Sequence, residues 1–114
     1  MILLILTAAA CAARSQSLIT HQKPVHLRQL SGTVFDSSGG TIPYALIELR
    51  DANDHHAIAS TFADGYGKFF FDKRKRGETL EIQITLKGFE IVRYEVVVSR
   101  FGRARLRVIL PVAA

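Results

Sequence analysis

Leu80-Glu81-Ile82-Gln83-Ile84-Thr85-Leu86-Lys87 alternates apolar and polar residues without a break. A period of two places Leu80, Ile82, Ile84 and Leu86 on one face and the polar residues on the other. That is the pattern of a half-buried strand. The same period continues outward in both directions. Residues 91–98 are rich in β-branched side chains, which favour strands. The last run places Ala104, Leu106, Val108 and Leu110 inward and Arg103, Arg105, Arg107 and Ile109 outward. Upstream, Gly32, Val34 and Asp36 occupy alternate positions. From Pro43, Ala45, Ile47 and Leu49 oppose Tyr44, Glu48 and Arg50. Residues 56–62 form a short run, and Phe69 and Phe71 point one way from another. Turn clusters separate the runs: Ser37-Ser38-Gly39-Gly40, Asp51-Ala52-Asn53-Asp54, Asp64-Gly65-Tyr66-Gly67, Lys87-Gly88 and Arg100-Phe101-Gly102. These seven runs, with no helical period among them, predict an all-β sandwich of two sheets. Its core is expected to hold Phe69, Phe71, Leu80, Ile82, Ile84, Leu106 and Val108.

The chain has 114 residues, which allows one domain and excludes a multidomain enzyme. Its single Cys excludes a disulfide scaffold, and 48% hydrophobic residues are too many for a disordered tail. The net charge of +5 is unevenly spread: residues 1–66 carry −1 and residues 67–114 carry +6. A basic C-terminal half favours anionic partners without specifying one.

Residues 1–13 are uncharged. The apolar run Met1-Ile2-Leu3-Leu4-Ile5-Leu6 leads into small residues, as in a secretory signal peptide, although no Lys or Arg precedes it. The run is too short to span a membrane as a helix. Ala8-Ala9-Ala10-Cys11 resembles a lipoprotein cleavage box, with Cys11 as the lipidated residue. The other reading makes Cys11 a small residue inside a discarded leader. Either reading places the protein outside the cytoplasm, in the periplasm, secreted or on the outer surface. Residues 14–28 lack periodicity and are read as a polar linker, leaving the domain at 29–112.

Two segments carry a family resemblance. Gly32-x-Val34-x-Asp36-x-x-Gly39, followed by Ile42-Pro43-x-Ala45-x-Ile47-x-Leu49, resembles the opening hairpin of the carboxypeptidase regulatory-like domain family. Thr61-x-x-Asp64-Gly65-x-Gly67-x-Phe69-x-Phe71 resembles its central segment, and Lys87-Gly88-Phe89 its closing motif. The resemblance implies a seven-stranded Greek-key β-sandwich similar to transthyretin. It also implies a non-catalytic accessory module of the kind found on bacterial surfaces and beside receptors and carboxypeptidases. The chain departs from the family at Lys73-Arg74-Lys75-Arg76-Gly77, where a Pro-Gly-x-Tyr turn is usual.

Chemistry is sparse. His55 and His56 adjoin Asp51 and Asp54, but adjacent histidines on a strand face opposite ways, so no metal site is expected. Ser60 and His56 lack any marked oxyanion hole, and neither catalysis nor a cofactor is expected. The basic residues remain. Arg103, Arg105 and Arg107 share one face, and Lys73, Arg74, Lys75 and Arg76 form a loop run. Glu90 and Glu95 are expected to compensate the arginines, with the sixth and seventh strands as antiparallel neighbours. The expected partner is a protein or an anionic envelope polymer. Nucleic acid is not expected, because no aromatic residues interleave the cations. Membrane contact is expected only through a lipid or uncleaved signal at the N-terminus. The alternative function is a small carbohydrate- or ligand-binding domain. Outward aromatics for it are few (Tyr44, Tyr66, Phe70), and there is no Trp.

Overall fold

The computed structural model describes residues 17–72 and 74–113. The strands are, in order, β1 (Leu18–Leu27), β2 (Ser31–Asp36), β3 (Leu46–Asp51), β4 (Ala57–Phe62), β5 (Lys68–Phe70), β6 (Thr79–Thr85), β7 (Ile91–Val98) and β8 (Leu106–Leu110), of which β2 to β8 arise from the seven alternating runs. They form a five-stranded sheet, β1-β7-β6-β3-β4, and a three-stranded sheet, β5-β2-β8. Apolar faces of the two sheets meet and exclude water, which is the main force holding a sandwich together. All seven residues expected in the core are buried there. Phe69 and Phe71 meet edge to face at 6.4 Å.

Gly32 is required by that packing. A Cβ there would lie 2.6 Å from both the Leu106 carbonyl oxygen and the Phe69 ring. The hairpin ends are tied by carboxylates. Asp36 Oδ1 accepts bonds from the Ser38 hydroxyl and from the Ser38 and Gly40 N–H groups. Asp64 Oδ1 accepts from the Lys68 and Tyr66 N–H groups. These bonds favour the ionised forms. They hold Asp36 and Asp64 below the ordinary carboxyl value of 3.8, chiefly through the Ser38 hydroxyl and the Lys68 N–H respectively. A depressed folded pKa stabilises the fold above the unfolded value, and that contribution is lost as pH falls through the folded one. Asp64→Asn keeps an acceptor but does not titrate as Asp does. Its stability is therefore expected to fall less steeply than wild type below about pH 4. An unchanged acid limb in denaturation curves would assign that limb to other carboxyls.

Three expectations are corrected. Residues 18–27, read as part of a linker, form β1, which pairs parallel with β7. The period is broken by Gln22-Lys23-Pro24, where the pairing slips between His21 and Val25. Pro is tolerated because β1 is an edge strand. The seventh expected strand, now β8, does not pair with its predecessor. It crosses to the other sheet and pairs parallel with β2, so Glu90 and Glu95 are not strand neighbours of the arginines. Glu95 instead lies opposite Glu81 across β6. Ala104, expected inward, is exposed, because β8 begins only at Leu106.

Candidate functional site

The register places four loops at one end of the sandwich: those joining β1 to β2, β3 to β4, β5 to β6 and β7 to β8. Three of them are tied together by backbone bonds. Gly77 N–H donates to Val98, Ser99 N–H to Leu27, Arg28 N–H to Arg103, and Arg103 N–H to His26. Gly102 makes the last contact possible, since a Cβ there would meet the His26 carbonyl at 2.6 Å. The result is a basic pole built from Arg28, Arg74, Lys75, Arg76, Arg100 and Arg103, residues far apart in the chain.

This arrangement divides the expected arginine stripe. Arg103 turns toward β1 and borders an open cleft of about 700 Å³ with His21, Lys23, His26, Tyr94 and Phe101. A second cleft of about 440 Å³ lies between His26, Arg76, Arg100 and Phe101. Arg28 and Arg74 line a third, of about 150 Å³, beside Phe70. Arg107 instead lies on the outer face of the three-stranded sheet, its guanidinium 4.2 Å from the centre of the Phe35 ring. Arg105 borders a cleft on that face with Ser31, Thr33 and Lys68. The structure thus places Arg103 at the same end of the sandwich as Arg74, Lys75 and Arg76, and on a different cleft from Arg105 and Arg107. Lys73 and Cys11 lie outside the described residues, as does the proposed leader.

Electrostatics distinguishes the pole from the outer face of the five-stranded sheet. On the five-stranded sheet, Arg50 and Arg93 approach Glu81 at 3.5 and 3.4 Å, and His55 approaches it at 3.1 Å. Arg93 also donates to Gln83, which donates to Glu48. Those charges are neutralised within the fold. At the pole, Arg74 meets Glu78 at 3.4 Å. Among the described residues Arg28, Lys75, Arg76, Arg100 and Arg103 form no ion pair. Unneutralised cations in neighbouring concavities raise the local potential and attract anions.

The pole also contains residues that sequence reading did not single out. Lys23 and His26 belong to β1, whose pairing was not legible, and Phe101 was read only as part of a turn. Phe101 is 90% exposed, a value that marks it as available for contact.

His55 and His56 precede β4 and are not on a strand; His55 turns toward Glu81 and His56 toward Asp54, at 2.5 Å. Asp51, Asp54 and His56 do offer ligand atoms within 4.8 Å of one another. One oxygen of each carboxylate also serves the turn: Asp51 Oδ1 accepts from the Asn53 and Asp54 N–H groups, and Asp54 Oδ1 from that of His56. The His56 N–H and ring hold the Asp54 carboxyl below its ordinary value.

The model of the carboxypeptidase regulatory-like domain family matches residues 29–111, so β1 lies outside the matched segment. No curated protein shows significant similarity to the chain. Domains of this family are non-catalytic β-sandwiches. The two packed sheets agree with that match. The chain therefore belongs to the carboxypeptidase regulatory-like domain family.

Proposed function

We propose that this chain is an extracytoplasmic interaction module of the bacterial envelope that engages an anionic partner through its basic pole. The observation that carries this reading is the contrast between the two surfaces. The five-stranded sheet pairs its arginines with Glu81, whereas the pole leaves Arg76, Arg100 and Arg103 without carboxylates. An apolar leader with Cys11 at its end supports export, either cleaved or lipid-anchored. A membrane anchor near residue 11 would join the domain at Ser17. Ser17 accepts a bond from Ile91 N–H, at the end of β7 opposite the pole. The ten residues of β1 span about 33 Å, so the pole would be held out from the anchored membrane.

Fractionation of host cells tests the whole reading. In a Cys11→Ser background, which removes any lipid, the protein is expected in the envelope fraction and is expected to be released by high salt. Replacing Arg76, Arg100 and Arg103 together with Gln is expected to release it at low salt with an unchanged melting temperature. Cytoplasmic protein with an intact Met1 would refute export. Retention that survives both high salt and the triple change would refute the anionic partner.

A further inference from the structure

Phe101 stands on the ridge shared by two clefts of the pole, those of about 700 and 440 Å³. Arg103 and Lys23 line one side, Arg76 and Arg100 the other, and no carboxylate lines either cleft among the described residues. Tyr94, stacked under the His21 ring at 4.3 Å, helps line the larger cleft. A ligand matched to this arrangement has a flat apolar face and anionic groups at its edges, repeated along a chain. A pyranose ring presents such a face through its C–H bonds, and a uronic acid adds a carboxylate at the ring edge.

We propose that the ridge is a binding site for an acidic polysaccharide of the polyuronate type. A sugar face stacks on Phe101, and carboxylates reach the cations on either side. This rests on the anionic-partner reading and names the partner's chemistry. A membrane surface fits less well, because insertion needs a broad apolar area. Among the described residues, Leu18, Tyr44, Phe62, Tyr66 and Val112, the other exposed large apolar side chains apart from Phe70, lie toward the opposite end of the sandwich. A nucleic acid would need several exposed aromatic faces for successive bases, whereas Phe101 is exposed here and Tyr94 is buried. Lys23 and His26 lie on β1, outside the segment matched to the family, so their part of the site does not come from that match.

The test uses protein purified from its host and titrated at low salt with polygalacturonate, its neutral methyl ester, polyphosphate, and vesicles containing phosphatidylglycerol. Polygalacturonate is expected to bind, and the ester at least about tenfold more weakly. Phe101→Ala is expected to weaken polygalacturonate binding by about three- to tenfold and to leave polyphosphate binding unchanged, while Phe101→Tyr retains both. The high exposure of Phe101 makes an unchanged melting temperature the control. Polygalacturonate binding that is indifferent to Phe101→Ala overturns the stacking site. So does a Phe101-dependent capture of the vesicles, or an equal Phe101 dependence for polyphosphate. In each of those cases loss of binding in the Arg76, Arg100 and Arg103 triple variant would still uphold the anionic-partner reading. Absence of binding to every polyanion would overturn both.

Discussion

Phe71→Ala is expected to lower stability by about 3–5 kcal/mol, the range for truncating a buried aromatic to alanine. Phe71 lies just beyond β5, a strand of three residues that has little pairing of its own to hold it. Its N–H donates to the Leu30 carbonyl, and its ring packs against Phe69, which in turn fills the space over Gly32. Removing the ring leaves a cavity beneath a short edge strand. Such a loss is a large fraction of the total stability of a domain this size. The melting temperature is expected to fall by about 12 °C or more, taking about 4–8 °C per kcal/mol. An unchanged transition would show that the inward register of this strand is mistaken.

Removal of the Glu81 carboxylate is expected to have the next largest effect. Its side chain is only 9% exposed, and it is shared by Arg50, Arg93 and His55. Glu81→Ala leaves the partly buried Arg93 guanidinium without a carboxylate and Arg50 with Glu48 alone, at 3.6 Å. A fully buried pair broken in this way costs about 3–5 kcal/mol. Each arginine is 21% exposed, so water recovers part of the loss, and about 2–3 kcal/mol is expected. Replacing Arg50 and Arg93 with Met in the Glu81→Ala background is expected to restore much of it, since the uncompensated charge is then gone. Denaturant midpoints check both steps. A triple variant no more stable than Glu81→Ala would show that the loss came from packing and not from charge.

Much of the site was hidden from the sequence for one reason. The Lys73-Arg74-Lys75-Arg76 run is visible as a run, and the arginines at 103, 105 and 107 as an alternation. Alternation assigns faces only while the chain remains a regular strand. Arg103 precedes β8, in a segment whose backbone follows β1 through the bonds at His26 and Arg28. Leaving the strand, it leaves the shared face. Its new neighbours, Lys23 and His26, belong to a segment in which Pro24 conceals the strand period.

The sequence alone determined which residues alternate, where the turns fall, and that Leu80, Ile82 and Ile84 must be buried. Period two is a local property of the backbone, and the hydrophobic effect selects the face. It also determined the Asp36 and Asp64 turn roles, because an Asx carboxylate bonds to N–H groups only a few residues away. Only the tertiary structure decided that β8 crosses to the smaller sheet, that residues 18–27 complete the larger one, and that Phe101 stands between two cationic clefts. Those outcomes depend on which strand edge is free when the sheets close. No local pattern encodes that choice, because the partners lie tens of residues apart.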